Sequence, residues 1–243
     1  MEGKMIIAIV TPKGGEAKTT TAMMLSLILS EKSKVLGIDF DVQNSFTFSM
    51  GLEFTDEKVK KENIAKYIQT EEIDPVLVNE NLSFIPSSLK LASLRTMSQG
   101  TLKKVFNETN IRDMYKHIII DTSPSFDNFM LSAAYAADLV IFPIRLRSVF
   151  SQKCLLDTID MCNYECPSIL TKLKVLPTFY ENRKDEQNVE NYITSEIGDC
   201  LLQARIPLTS KALKVASNYK LYSQKGMDSF TEAYRDLARE IEE

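Results

Sequence analysis

A lysine, two glycines, a second lysine and two threonines crowd into one short stretch, Lys13-Gly14-Gly15-Glu16-Ala17-Lys18-Thr19-Thr20. It follows a short apolar run, Met5 to Val10, and opens a longer one, Lys18 to Lys32. A strand, a glycine-rich loop and a helix in that order are the context a phosphate-binding loop needs. Backbone N–H groups at the helix start would face an anion and favour its charge. In that setting Gly14, Gly15, Glu16 and Ala17 form the cradle. Lys18 is spaced to reach terminal phosphates, Thr19 to offer a hydroxyl to a magnesium ion, and Thr20 to sit near the phosphates.

Acidic residues follow at the ends of two further apolar runs. Asp39 and Asp41 lie in Gly37-Ile38-Asp39-Phe40-Asp41-Val42-Gln43. Carboxylates two residues apart point to one side of an extended chain, so both are expected to face the metal and the attacking water. Asp121 closes Ile118-Ile119-Ile120 and precedes Thr122-Ser123-Pro124. An aspartate there is the usual second metal anchor of a phosphate-loop protein. Each acid is weak evidence by itself; the three groups in this order reinforce one another.

The elements that must hold these groups alternate along the chain. Strands are expected at Met5 to Val10, Val35 to Asp39, Leu82 to Ile85, Ile118 to Ile120, Leu139 to Phe142, Leu173 to Leu176 and Leu201 to Ile206. Pro86, Pro143, Pro177 and Pro207 serve as stops. Helical patterns fill most of the intervals. Lys18 to Lys32 is apolar almost all round and reads as a buried helix. The sum is an α/β fold, a mostly parallel twisted sheet of about seven strands with helices on both faces, in one domain spanning 1–243. Ligands in such sheets sit at the carboxyl ends of the strands, where the loop and the acids fall. Residues 52 to 80 are charged and carry one weak amphipathic helix (Val59, Ile64, Ile68), an excursion at the sheet edge.

Composition narrows the function classes. With 44% hydrophobic residues the chain can build a sizeable core, and a net charge of −4 excludes general basic attraction to nucleic acid. No apolar run approaches a membrane span, and the first residues lack signal-peptide architecture, so a cytoplasmic protein is expected. Cys154, Cys162, Cys166 and Cys200 make no C-x-x-C pair and read as free thiols.

The loop resembles the deviant Walker A motif of the ParA/MinD/Soj family of P-loop ATPases, whose mark is an additional lysine ahead of two glycines, here Lys13. Val35 to Ser45 and Tyr115 to Ser125 resemble that family's next two motifs. Pro177 to Arg183 and Ile206 to Ala216 are looser matches. The resemblance implies ATP and Mg²⁺ as cofactors and a slow ATPase that dimerises on binding them. It implies that Lys13 reaches the partner's phosphates, that Asp41 positions or activates water, and that Asp39 and Asp121 support the metal, chiefly through water. Thr178, Pro207 and Leu208 would border the adenine. The nearest likeness is to partition proteins without an N-terminal DNA-binding domain, since Lys13 lies so close to the start. Their partners would be a second copy, a ParB-like activator and non-specific DNA, with Lys211, Lys214, Lys220 and Lys225 as the DNA-facing stretch.

Two departures from the family pattern stand out. Glu16 occupies a small or apolar position, and Ala17 replaces a glycine. Alanine is strained if the position requires φ > 0, and a carboxylate beside polyphosphate is unfavourable unless it turns outward or finds a cation. Both predict weakened nucleotide affinity, and a degenerate P-loop adaptor is the alternative they raise. A MinD-like positioning regulator is the other. That reading needs a basic amphipathic terminal helix for the membrane, whereas the stripe Phe230, Tyr234, Leu237, Ile241 has an acidic polar face and is expected to pack on the domain.

Overall fold

Ile118, Ile119 and Ile120 form the middle of a strand with every residue buried, as three β-branched residues covered on both faces should. The computed structural model describes residues 3–53, 55–210 and 228–243. Lys211, Lys214, Lys220 and Lys225 lie outside the described residues. Strands β1 (Met5–Ile9), β2 (Val35–Phe40), β3 (Val76–Leu77), β4 (Leu82–Ile85), β5 (His117–Thr122), β6 (Leu139–Ile144) and β7 (Leu173–Pro177) build one sheet. Its order is β3-β4-β2-β5-β1-β6-β7. Every pairing is parallel except β3 with β4. The strand carrying the phosphate-loop motif therefore lies inside the sheet, paired with β5 and β6 on its two sides.

The seven strands differ in membership from the expectation. Leu201 to Ile206 is not a strand; it meets β7 through the bridge of Leu201 to Val175 and, at its other end, through the Ile206 N–H donating to the Pro177 carbonyl at 2.9 Å. The cause is local. The N–H groups of Gln203 and Ala204 donate to the two carboxylate oxygens of Glu240, at 2.6 and 2.9 Å, so they are lost to a ladder. The seventh strand is instead β3, a two-residue antiparallel edge within the charged stretch.

That stretch holds two helices where one was expected, α3 (Glu57–Lys61) and α4 (Ile64–Thr70), after the short α2 (Ser45–Ser49). Asn63 separates them because its side chain accepts from the Lys66 N–H at 3.2 Å, starting α4 afresh.

Helices cover both faces. On one side lie α4, α5 (Thr101–Glu108), α6 (Ile111–Met114), α7 (Asn128–Ala136) and α8 (Val149–Glu165), over a core that includes Ile38, Phe40, Ile120 and Phe142. On the other lie α1 (Lys18–Ser30) and, after α9 (Lys184–Ile197), the last helix α10 (Ser229–Glu242). Alternation along β1 sends Ile6 and Ala8 to the first core and Ile7 and Ile9 to the second. The terminal stripe packs on the domain as expected: Phe230, Tyr234, Leu237 and Ile241 are buried against the α1 side, and the Tyr234 hydroxyl meets Thr21 Oγ1 at 3.1 Å. Among the described residues no helix is long and apolar enough to cross a membrane.

One glycine of β2 answers to space. A Cβ at Gly37 would stand 2.8 Å from Phe84 Cδ2 and 3.3 Å from Phe46 Cζ. Phe46 and Phe84 meet edge to face at 4.8 Å over that gap, fastening α2 to the sheet.

Candidate functional site

Beyond β1 the chain turns through residues with positive φ, Gly15 at 79° and Ala17 at 72°, before α1 begins at Lys18. The strained conformation anticipated for Ala17 is present. It costs alanine on the order of 1–2 kcal/mol relative to ordinary backbone. The turn gives α1 an N-terminus without a side-chain cap, so the first N–H groups of the helix are not taken by an N-cap side chain.

These residues line an open cleft of about 430 Å³. Gly14, Gly15, Ala17, Lys18, Thr19 and Thr20 form one wall; Asp41, Gln43, Ser45, Ser49 and Pro124 form the other. Lys18 is 7% exposed, and its Nζ donates to the Lys13 carbonyl at 3.1 Å. Burial pushes its ammonium below the usual lysine range, against the pull of Asp121, Asp41 and Glu16. A buried cation at the edge of a cleft suits an anionic ligand.

The acids occupy two levels. Asp41 lines the cleft, and its Oδ1 accepts from the Gln43 N–H at 2.9 Å. Burial raises its carboxyl and Lys18 draws it back. Asp39 lies beneath the cleft, not in it. Its Oδ2 accepts from the N–H and hydroxyl of Thr47, both at 2.7 Å, and its Oδ1 from the Asp41 N–H at 3.2 Å. The two-residue spacing puts both carboxylates on one side only if the chain stays extended through Asp41, and β2 ends at Phe40. Asp39 thus anchors α2 and the turn that carries Asp41.

Asp121 pairs in register with Asp39 across β5 and β2. Its Oδ2 accepts from Thr19 Oγ1 at 2.7 Å, and its buried Oδ1 has no hydrogen-bond partner. Burial, then the neighbouring Asp39, pushes the Asp121 carboxyl up to about 8; burial pushes Asp39 up to about 7. Two buried acids beside each other and one orphaned oxygen beside a threonine hydroxyl fit a divalent cation, whose charge relieves both.

Glu16 and Lys13 leave the cleft together. Glu16 is 2% exposed and turns toward the junction of β6 and α8. Its Oε2 accepts from the Arg145 N–H at 2.7 Å, and its Oε1 from the Ser151 hydroxyl at 2.9 Å and from Lys13 Nζ. Lys13 also donates to the hydroxyls of Ser151 at 2.7 Å and Ser148 at 3.3 Å. The electrostatic objection to Glu16 is thereby answered: the carboxylate turns outward and finds a cation.

Thr178, Pro207 and Leu208 are not brought to the cleft. Thr178 is buried, and its hydroxyl donates to the Glu16 carbonyl at 3.3 Å. Pro207 bridges to Tyr180, and Leu208 is half exposed beside it. Of the three, Thr178 is the one bonded to the loop. Sequence reasoning missed Ser148 and Ser151, Thr47, and the wall residues Gln43, Ser45 and Ser49. Ser148 carried a signal, since a serine before an apolar run marks a helix cap, and its side chain does cap α8 at Ser151 N–H.

The arrangement can bind a phosphate chain at a helix start, hold a hard cation through Thr19 and Asp121, and present Asp41 to a water molecule. Comparison with known proteins gives a consistent picture. A family model described as an AAA domain matches residues 4–172. The sporulation initiation inhibitor protein Soj of Bacillus subtilis is 28% identical over 250 residues, covering 97% of each chain. Among solved structures, a plasmid partition protein of Borrelia burgdorferi bound to AMPPNP superposes with a TM-score of 0.77 at 24% identity, covering 98% of each chain. A cobyrinic acid a,c-diamide synthase of Mycobacterium smegmatis with bound ADP and magnesium gives 0.72 at 23% identity, over 96% of this chain and 92% of that one.

Proposed function

The chain belongs to the ParA/MinD/Soj family of P-loop ATPases, and from that premise we propose that it is a partition-type switch that binds ATP and Mg²⁺, dimerises, and resets by slow hydrolysis. The observation that carries this reading is the meeting of Lys18, Thr19 and Asp41 in one cleft at the start of α1. The backbone from Gly14 to Lys18 would cradle the phosphates, with Lys18 against the terminal ones and Thr20 beside them. Thr19 would take Mg²⁺ directly, and Asp121 and Asp39 would act on the metal through water. Among the described residues no cluster of three or more His, Cys, Asp or Glu could hold a metal. Mg²⁺ suits that sparse donor set, because it keeps several waters and takes phosphate oxygens as ligands. Asp41 would orient the attacking water. Lys13 would cross to the phosphates of a second copy. Thr178, bonded to the loop at the Glu16 carbonyl, and Pro207 and Leu208 remain the proposed adenine border.

The proposed partners are a second copy, a ParB-like activator and non-specific DNA, the last through Lys211, Lys214, Lys220 and Lys225. A monomer of net charge −4 should bind DNA poorly, and a dimer presenting twice as many lysines measurably better. The test is calorimetry with ATP and Mg²⁺, then light scattering with ATP and with ADP. Binding that Lys18→Ala abolishes, with doubled mass in ATP alone, is expected; equal mass in both nucleotides would overturn the switch. Anisotropy on two unrelated duplexes across a salt series tests the DNA step, and an ATP dimer that ignores both at low salt would remove it.

A further inference from the structure

The amine of Lys13 has three N–H donors, and all have partners in its own chain: Glu16, Ser148 and Ser151. None is left for a phosphate. The Lys13 side chain is 32% exposed and that of Glu16 only 3%, so the pair lies at the margin of the surface with its anionic half inside. Glu16 is itself fixed from two directions, by the Arg145 N–H at the end of β6 and by the Ser151 hydroxyl in the first turn of α8. We infer that Glu16 is a positioning residue for Lys13: its carboxylate holds the amine against α8 in the single chain, and this contact must open before Lys13 can reach a second copy. The inference rests on the proposed role of Lys13 in joining two copies.

The consequence is a threshold on dimerisation that the loop imposes without touching ATP. Glu16 faces away from the cleft, so its carboxylate makes its direct contact with Lys13 and not with the phosphates. Replacing the carboxylate with an amide separates these roles. Glu16→Gln keeps an oxygen for the Arg145 N–H, preserving the tie to β6, and turns its NH2, a donor only, toward the ammonium, which it cannot hold. Pairs near the surface are worth about fivefold in an equilibrium. A symmetric dimer opens one pair in each copy, so the effects multiply to about twenty-five-fold.

The experiment measures the dimer dissociation constant by sedimentation equilibrium at saturating ATP and Mg²⁺, so that nucleotide affinity drops out. It also measures acetylation of Lys13 by an amine-reactive ester in the nucleotide-free protein, read by peptide mass spectrometry. Glu16→Gln should tighten the dimer by about twenty-five-fold and raise Lys13 labelling about fivefold, by the same pair arithmetic. Ser151→Ala, which removes one hydroxyl shared by both residues and leaves the loop intact, should move both readouts in the same direction by less. It also carries the test should Glu16→Gln not fold. Unchanged or weaker dimerisation in Glu16→Gln, with wild type dimerising normally, would overturn the inference, as would equal labelling. If wild type shows no ATP-dependent dimer, the proposed switch fails instead, and the labelling alone decides whether Glu16 holds Lys13.

Discussion

Thr19 Oγ1 donates to Asp121 Oδ2 across 2.7 Å, joining the start of α1 to the end of β5. Because the hydroxyl proton points at the acid, the oxygen lone pairs of Thr19 are left for an electrophile. The same contact leaves Asp121 Oδ1 buried and unpartnered on the adjacent side. A threonine oriented by an aspartate is a ready ligand for a hard cation.

Thr19→Ala removes that ligand and also leaves Asp121 without its donor. A lost interaction with a charged group is worth about 1.5–3 kcal/mol, so ATP binding in the presence of Mg²⁺ should weaken about ten- to a hundredfold. Thr19→Ser should retain most of the affinity. Calorimetry with and without EDTA distinguishes a metal ligand from a packing residue: the defect of Thr19→Ala should shrink when Mg²⁺ is removed.

Asp41→Ala should slow hydrolysis while ATP stays bound. Asp41 lines the cleft opposite Lys18, and its carboxylate accepts one hydrogen bond among the described residues, from the Gln43 N–H, so removing the side chain disturbs little else. Loss of a general base or water-orienting group costs about 10²–10⁴ in rate. Phosphate release should fall in that range and the ATP dimer should persist on size exclusion. A variant that no longer binds ATP would reassign Asp41 to nucleotide affinity.

Ala17→Gly should raise stability. At φ 72° the alanine costs about 1–2 kcal/mol, whereas glycine adds about 0.4–1 kcal/mol of unfolded-chain entropy. The strain term wins, leaving a gain of about 0.5–1 kcal/mol, or roughly 1–4 °C in melting temperature for a chain of this size. Calorimetric melting of the nucleotide-free protein checks the sign. A lower melting temperature would mean that the alanine methyl makes packing contacts worth more than the strain.

Asp121 gives a pH dependence. Its folded carboxyl titrates near 8 against an ordinary 3.8, so between those values the folded chain holds a proton that the unfolded chain has released. Stability from this group is fully present below about pH 4 and is lost as pH rises toward 8, by at most about 1.4 kcal/mol per pH unit. In protein free of nucleotide and Mg²⁺, the melting temperature should fall between pH 6 and 8.5. Asp121→Asn should flatten that fall. Identical slopes in both proteins would count against a protonated Asp121.

The sequence made the phosphate loop, Asp41, Asp121 and the sheet class legible, because each depends on residues adjacent in the chain. Positive φ at Ala17 was anticipated from one departure from the family pattern. What escaped was non-local. Glu16 looked misplaced because Arg145 and Ser151 meet it from far along the chain. Leu201 to Ile206 reads as a strand until Glu240, on the last helix, takes its backbone donors. Val76–Leu77 is too short for alternation to register. That Asp39 lies beneath the cleft is also illegible, because nothing in the local pattern announces Thr47 as its partner.

Gly37 has a consequence for how this protein tolerates change. It touches neither cleft nor loop, yet a single methyl there would press on Phe84 and Phe46. Phe46 belongs to α2, whose Thr47 clamps Asp39, and Asp39 in turn supports the Asp41 turn. Strain introduced at the middle of β2 would thus emerge as a displaced Asp41. In a comprehensive library of single substitutions selected for ATP turnover, position 37 should be as depleted of variants as the active-site residues, and would be mistaken for one of them by anyone ranking positions on activity alone.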